Sequence, residues 1–374
     1  MTRMGTLSRR TLLGALAVAM LPLNSCARPG RRLYLSARGD AAGGFRATGI
    51  RTAGGVAFDL PLPARGHSMA LRSGGREAVF FGRRPGAFAL VVDIAGGRPL
   101  RTIEAAPGRW FNGHGVFAAD GARLFASETV GDTGDGMIGV YDPADGYRRI
   151  GEWSSGGLDP HDMRLLSDGR TLAVANGGIL HHTEAPRTIL NLDTMAPSLT
   201  YVDARTGVLL TAVGLPAALH QLSIHHLAVA PVDRVALAGQ YQGPSGDHVP
   251  LVGMHRPGAP EIRLIGPPEA VARSMRHYCG SAAMGPSGRI LGATSPRGGV
   301  AAFWDVLEDR YLGSYAMADC CGIAPGETDG VFLISNGHGD VVRYDARTAR
   351  AEAVPGIALA GARWDNHMLA VAEG

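Results

Sequence analysis

Five histidines and two cysteines open seven copies of one repeated phrase in the sequence. Imidazole and thiolate are the ligands that copper, iron and zinc select, and each must present a free lone pair to the ion. If the fold brings the seven positions together, their chemistry predicts a metal site. The seven residues are His67, His114, His161, His226, His367, Cys279 and Cys321.

The same histidines also have a purely structural interpretation. An imidazole at the start of a strand can hydrogen-bond the backbone of a neighbouring element, and a wet channel mouth tolerates polar side chains. Both interpretations stay open at the level of sequence. If the rings are gathered without an ion, acid should destabilise the protein below the ordinary histidine pKa of about 6.5, because imidazolium groups repel one another.

The repeated phrase predicts the fold that must position these residues. Each His or Cys precedes an apolar strand, a turn such as "ADGAR", "SDGR" or "PSGR", a second apolar strand, a polar loop and a third strand. Subtracting the seven positions in chain order gives steps of 47, 47, 65, 53, 42 and 46 residues. Such spacings are typical of four-stranded propeller blades. We therefore predict an all-β, seven-bladed β-propeller spanning residues 33–374.

The last blade is predicted to combine both ends of the chain. "NHMLAVAEG" supplies one innermost strand, while "RRLYLSARGD", "GFRATGI" and "GGVAFDLPLP" supply three strands without an innermost partner. This one-plus-three closure removes the open sheet edges that endanger an all-β protein. The related phrases "GRWFNGH" and "ARWDNH" would then occupy the same position in blades two and seven.

The N-terminus has the features of an export signal. Arg9 and Arg10 precede an apolar stretch that is too short to span a bilayer, as in twin-arginine signals. "LNSC" resembles a lipobox ending at Cys26, and cleavage after Ala27 is the alternative. We predict a twin-arginine/lipoprotein signal over residues 1–26, a linker over 27–32, and a periplasmic protein with a lipid anchor on Cys26 if the lipobox is used.

Composition and missing motifs exclude several functions. The formal net charge is +3, from 36 basic and 33 acidic residues, and several basic residues lie in the signal, so no nucleic-acid partner is expected. The sequence has no Gly-x-Ser-x-Gly, phosphate loop with Lys, Cys-x-x-Cys-His or His-Glu-x-x-His. No nucleotide cofactor is expected, and no catalytic residue can be assigned.

The cysteines leave two interpretations open. Cys279 and Cys321 could be metal ligands, or they could form a disulfide between adjacent blades, and Cys320 with Cys321 could form a vicinal disulfide. The loop 176–199 raises a separate expectation, since it is longer than ordinary loops and too apolar for a solvated tail. We predict that it folds over the channel face.

The stretches "VANGGIL", "LNLDTMAPSL" and "YVDARTG", with "NGHG" further along, resemble a family of exported bacterial proteins of unknown function. Its members begin with twin-arginine signals and look like seven-bladed propellers. They tend to be encoded beside imelysin-type iron-regulated proteins and a di-haem, peroxidase-like oxidoreductase, so the resemblance implies these partners and a role in periplasmic iron handling. "HHTEAPRT" departs from the family's "THP" loop, and the family has no established catalytic residues to transfer.

Three classes of function are consistent with the sequence. The first is an accessory protein of metal acquisition, with an iron or copper ion in the histidine ring. The second is a metal-dependent oxidoreductase of the copper type or another propeller enzyme, and the third is a non-catalytic interaction scaffold. A propeller serves all three purposes, so the fold does not choose among them.

Overall fold

The computed structural model describes residues 32–371, except 54, 183, 186, 187, 358 and 360. The predicted signal with Cys26, and all of the predicted linker but Arg32, lie outside the described residues. Within the described part, no helix combines the length and the apolar character needed to cross a membrane.

The described residues form seven antiparallel sheets. The short helices are α1 (Glu269–Ser274) and two 3-10 turns at Leu192–Thr194 and Ala217–Leu219. The strands are β1 (Leu33–Gly39), β2 (Phe45–Arg51), β3 (Gly55–Leu62), β4 (Gly66–Leu71), β5 (Glu77–Gly82), β6 (Phe88–Asp93), β7 (Arg98–Glu104), β8 (Arg109–Phe117), β9 (Leu124–Val130), β10 (Asp135–Asp142), β11 (Arg148–Leu158), β12 (Pro160–Leu165), β13 (Thr171–Asn176), β14 (Ser198–Asp203), β15 (Leu209–Gly214), β16 (Leu222–Val229), β17 (Val235–Tyr241), β18 (Val252–His255), β19 (Arg263–Ile265), β20 (Ser281–Met284), β21 (Ile290–Ser295), β22 (Val300–Asp305), β23 (Arg310–Ala316), β24 (Cys320–Pro325), β25 (Val331–Asn336), β26 (Val341–Asp345), β27 (Arg350–Ala353), β28 (Arg363–Trp364) and β29 (Leu369–Val371).

Each of the first six blades takes four consecutive strands, beginning with β4, β8, β12, β16, β20 and β24. The turn between the first and second strands of a blade requires a residue with positive φ. Gly121, Gly169 and Gly288 occupy it in three blades with φ between 64° and 68°, a left-handed conformation that side chains with a Cβ disfavour. This requirement explains why "ADGAR", "SDGR" and "PSGR" recur. The prediction of an all-β, seven-bladed propeller is confirmed.

The hydrophobic core is divided among the blade interfaces. Seven clusters of buried residues each join two neighbouring sheets, including the pair formed by blades seven and one. Second and third strands are almost fully buried, as in β5 and β22, while outer strands such as β7 are mostly exposed. Every blade is therefore held by apolar contacts on both of its faces.

The seventh sheet uses both ends of the described chain. In β1, Leu33, Tyr34 and Leu35 pair with β29, while Arg38 and Gly39 pair with β28. The remaining strands β2 and β3 complete the sheet on the other side of β1. The segment between β28 and β29 leaves the strand, and it contains His367.

We expect substitution of a residue at this join to destabilise the whole ring. Leu35 is fully buried opposite Leu369, so Leu35→Ala should lower the free energy of unfolding by about 2–5 kcal/mol. Leu209→Ala is the matched control, because Leu209 is 48% exposed on β15 and should change stability by less than about 0.5 kcal/mol. Urea denaturation measures both, and equal effects would contradict the importance of the join.

Candidate metal centre

The innermost strands are irregular where the predicted ligands stand. Register shifts interrupt β4 between Gly66 and Met69, β8 between Phe111 and Gly115, and β12 between Pro160 and Asp162. A bulge leaves residues out of the regular ladder and can redirect a side chain. His67, His114 and His161 lie inside these interruptions, and their side chains are directed to a common centre.

Serine hydroxyls donate hydrogen bonds to the backbone oxygens of three of the histidines. Ser127 donates to the carbonyl oxygens of His114 (3.1 Å) and His161 (3.3 Å), and Ser36 donates to that of His367 (2.7 Å). Because a buried carbonyl without a partner is costly, these bonds stabilise the irregular backbone. Serines on neighbouring strands therefore fix the backbone of these histidines.

The five predicted histidines come together in one buried cluster. The ring of His67 lies 5.0 Å from that of His114 and 4.5 Å from that of His367, measured between centroids. The ring of His226 lies 4.8 Å from that of His367 and 5.1 Å from that of His161. All five residues are buried, with at most 7% of their surface exposed. We call these rings, with that of His225, the histidine centre.

His225 joins the centre although the sequence analysis did not select it. Its ring lies 4.4 Å from that of His161 and 5.8 Å from that of His226. Adjacent residues of a regular strand point to opposite faces, so one of the pair was expected to face away. A register shift between Ile224 and His226 turns both rings to the same side, and the doubled histidine was the only sequence signal for it.

Three histidines have one ring nitrogen fixed by a hydrogen-bond partner. Nδ1 of His67 lies 2.9 Å from Asp365, and Nδ1 of His114 lies 3.2 Å from Asp162. Nδ1 of His367 lies 3.2 Å from the hydroxyl of Ser281. A carboxylate that accepts the Nδ1 proton fixes the tautomer and leaves the Nε2 lone pair free, as in metal sites whose histidines are oriented by outer partners.

The histidines of the centre offer ring nitrogens that lie close to one another. Nε2 of His67, His114 and His367 is buried in each case and has no hydrogen-bond partner among the described residues. These three histidines offer ligand atoms within 4.8 Å of one another, and a second such group combines His114, His161 and His226. Nitrogens on opposite sides of one ion, with bonds of about 2.1 Å, lie about 4.2 Å apart, so small side-chain rotations would bring them onto an ion.

Burial keeps five of the rings neutral. It lowers the pKa of His67 to about 4 and that of His225 to about 3. Burial also lowers the pKa of His161, His226 and His367, and the neighbouring histidines add to the effect. Neutral imidazole is the form that carries a lone pair for a metal. These five rings are therefore in the form that binds an ion at neutral pH without first losing protons.

The carboxylates behind the rings stay charged. Burial alone would raise the pKa of Asp365 and Asp162, but hydrogen bonds and nearby positive charges lower both below the ordinary range. Arg65 pairs with Asp365 at 2.6 Å, and Arg164 pairs with Asp162 at 3.1 Å. Neither carboxylate was expected from the sequence, because each lies close in sequence to a histidine of one blade and contacts the histidine of another.

The structure does not bring the cysteines into these histidine groups. Cys279 packs in the apolar cluster between blades four and five, just before a strand that pairs without a register shift. The thiol of Cys321 donates to the backbone oxygen of Asp319 at 3.0 Å. Burial raises the pKa of both thiols, which disfavours thiolate. Cys279, Cys320 and Cys321 are free, so neither disulfide considered from sequence is formed.

The long loop lies beside the centre. Ser223 donates to the backbone oxygen of Gly177, and Gly177 donates to that of Asp159, which ties the loop to blades three and four. Nε2 of His181 lies 4.0 Å from Asp159, so this residue is the part of the loop that reaches inward. On its outer side, Leu190 and Leu192 are 51% and 37% exposed.

A pocket of about 490 Å³ opens onto the histidine centre. Its inner wall includes His67, His161, His225 and His226. The rim combines arginines with uncharged polar side chains, and no carboxylate is among the lining residues of the described chain. Those rim residues are Arg65, Arg83, Arg84, Asn112, Gln240, Tyr278 and Asn366.

Fold and centre together define a class of protein, a seven-bladed β-propeller with a cluster of buried histidines where its innermost strands begin. The chain matches the family model described as "Protein of unknown function (DUF1513)" over residues 60–371, and it belongs to that family. This result confirms the expected membership of a propeller family of unknown function.

No curated protein matches the chain. Among solved structures, the hydrazine synthase of Kuenenia stuttgartiensis is similar, with a TM-score of 0.61 and 12% sequence identity. The match covers 86% of this chain and 94% of that chain. At this identity, the likeness concerns the fold alone.

We expect the metal-free protein to lose stability in mild acid. The unfolded chain takes up protons on histidine near pH 6.5, whereas folded His67 does so only near pH 4, so the unfolded state binds more protons between these values. The stabilisation is complete above about pH 6.5 and is lost as the pH falls. His67 alone should lower the free energy of unfolding by about 2 kcal/mol between pH 8 and pH 5.

Urea denaturation of chelator-treated protein at the two pH values measures this change. The His226→Met variant removes another buried imidazole and should show a smaller loss over the same range. A metal-free protein that is equally stable at pH 8 and pH 5 would contradict the burial of neutral rings.

Proposed function

We propose that the protein binds one transition-metal ion at the histidine centre, through Nε2 of His67, His114 and His367. The observation that carries the proposal is the arrangement of these three rings. Each has Nδ1 held by an outer partner and a buried Nε2 without a partner, and the three ligand atoms lie close together. Buried polar atoms in native proteins nearly always have partners, so an ion accounts for this exception.

The donor set favours iron or copper over hard cations. Imidazole nitrogen suits copper, iron, zinc and nickel, whereas magnesium, calcium and manganese prefer oxygen ligands. Among the described residues, the groups of three close ligand atoms contain histidine alone. Because these ligands are neutral, the reduced ion Fe(II) fits better than the harder Fe(III). His226 and His161 stand next to the three rings and could complete the coordination.

We infer that this ion is cargo of a metal-acquisition system at the cell envelope, and that the metal is iron, as the sequence resemblance implies. The twin-arginine-like signal supports export to the periplasm, and such export carries folded proteins that have already taken up a metal. The imelysin-type and di-haem peroxidase-like proteins are the proposed partners. Lipid attachment at Cys26 would keep the centre close to a membrane.

The pocket supports a second candidate, a copper-type oxidoreductase. A cavity of about 490 Å³ has the size of a small-molecule site. It is lined by one of the three proposed ligands, His67, together with His161, His225 and His226. A cargo site needs access for the ion only, whereas an enzyme needs room for a substrate beside it. Turnover of a substrate by the metal-loaded protein would favour this candidate over a role in acquisition.

Metal content tests the site. Protein exported by its own signal and purified without chelator or nickel resin should contain about one equivalent of iron or copper by mass spectrometry. His114→Ala and His367→Ala should each weaken binding by more than about 100-fold, because even changes to outer partners cost about 10–100-fold. His248→Ala is the matched control, since His248 is 60% exposed and outside the centre.

Three outcomes would overturn the assignment. Metal-free protein that cannot be loaded with iron, copper or zinc would leave the histidines with a structural role. Equal metal loss in His248→Ala would show that binding is not specific to the centre. Loss of the metal in Cys279→Ser or Cys321→Ser, with retention in the histidine variants, would move the site to the cysteines.

The carboxylate behind His67 provides a finer test. Asp365→Asn keeps the shape of the side chain but removes the charge that fixes the Nδ1 proton, so metal affinity should fall by about 10–100-fold. Asp203→Asn is the matched control, because Asp203 is a buried aspartate that pairs with Arg170 on blade three, outside the histidine centre. Competition with a chromophoric chelator measures both affinities. Equal losses in the two variants would indicate general destabilisation instead of ligand positioning.

A further inference from the structure

The rim of the pocket is built on a loop that is fixed in position. Residues 83–87 join β5 to β6, and Gly86 exchanges two backbone hydrogen bonds with Phe111 of the next blade, at 2.9 and 2.8 Å. A Cβ at Gly86 would lie 2.5 Å from the backbone oxygen of Gly82, so no larger residue fits there. The backbone amide of Arg83 also donates to the oxygen of Arg65 at 2.8 Å. The arginines of this loop are therefore held at the pocket.

Two of the three arginines at the rim are already neutralised. Arg65 pairs with Asp365 at 2.6 Å, and Arg84 pairs with Asp159. The guanidinium of Arg83 has no ion-pair or hydrogen-bond partner in the described part of the chain, although it lines the pocket. Its charge is close enough to His67 and Asp365 to act on both electrostatically.

Uncharged donors without partners surround the same space. The side-chain amide of Asn366 and the hydroxyl of Tyr278 line the pocket, and neither has a hydrogen-bond partner among the described residues. The ring of Tyr278 lies under Arg297, with the guanidinium 4.3 Å from the ring centroid. A free guanidinium, an amide and a hydroxyl thus converge on one cavity whose described lining has no carboxylate to occupy them.

We propose that this pocket binds a small oxyanion, a dicarboxylate or phosphate, which Arg83 holds beside the metal ion of the histidine centre. This inference rests on the proposed function, because the metal ion would form the inner end of the anion site. The neutral ligands leave the charge of a divalent ion uncompensated, and Asp365 and Asp162 are already paired with arginines. An anion from solution would balance the charge of both the ion and Arg83.

The geometry of the donor explains the class of ligand. Guanidinium is planar and forms two parallel hydrogen bonds with a carboxylate or phosphate. A second anionic oxygen of the same molecule would face the ion, so the ligand is expected to carry at least two anionic oxygens. In this arrangement the oxyanion is either the carrier with which the metal arrives or the substrate of a metal-dependent reaction.

Calorimetric titration of the metal-loaded full-length protein with malonate, and separately with inorganic phosphate, tests the site. At least one of the two should bind with one-to-one stoichiometry, and the tighter one identifies the class. Arg83→Gln should weaken that binding at least tenfold with the metal content unchanged, and Arg83→Lys should retain part of it. Arg98→Gln is the matched control, because Arg98 is exposed on the outer strand of the same blade.

Metal is measured on the protein after each titration, and the metal-free protein is titrated in parallel. Weaker but detectable binding to the metal-free protein, again lost in Arg83→Gln, supports the anion site even if the proposed metal site fails. Metal-loaded protein that binds neither anion would overturn the inference and leave the metal site intact. Unchanged binding in Arg83→Gln, or equal loss in Arg98→Gln, would also overturn it.

Discussion

The pairing of β1 with both β28 and β29 is the interaction on which the ring and its centre depend. The two short strands contact the same partner, and the chain between them is pushed out of the ladder. Asp365 donates its backbone amide to Ala37, and Ser36 donates to the oxygen of His367, so the segment is anchored at both ends. This segment contributes one histidine to the centre and the carboxylate that orients His67. Closing the seventh sheet therefore also places His367 and Asp365 in the site.

The sequence was informative where one residue type recurs at one place in a repeat. His67, His114 and His161 could be assigned to one end of the blades because the phrases around them align, and their burial near one another follows from the geometry of a propeller. His225 could not be found in this way, because the alternation of strand residues gives the wrong side for it. The bulge that reverses its direction lies in the pairing of β16 with β17, and only the doubled histidine pointed to it in the sequence.

The cysteines and the carboxylates could not be placed from their positions in the repeat alone. Position in the repeat placed Cys279 with the histidines, but its strand pairs without a register shift, and the thiol joins an apolar cluster. Asp162 and Asp365 act across blade boundaries, so their partners are distant in sequence. Arg83 lies in a loop that differs from the corresponding loops of other blades. An equivalent position in the repeat therefore predicts where the backbone of a residue lies. Local packing decides the direction of its side chain.

The buried ring nitrogens without hydrogen-bond partners lower the stability of the fold. A buried polar group without a partner costs about 1–3 kcal/mol, and His226 alone has two such nitrogens while His225 has two more. Contacts between ring edges and faces offset only a part of this cost. An ion that binds the folded chain and not the unfolded one removes much of the cost and stabilises the fold by mass action. The proposed ion would thus account for buried side chains that weaken the propeller when no ion is bound.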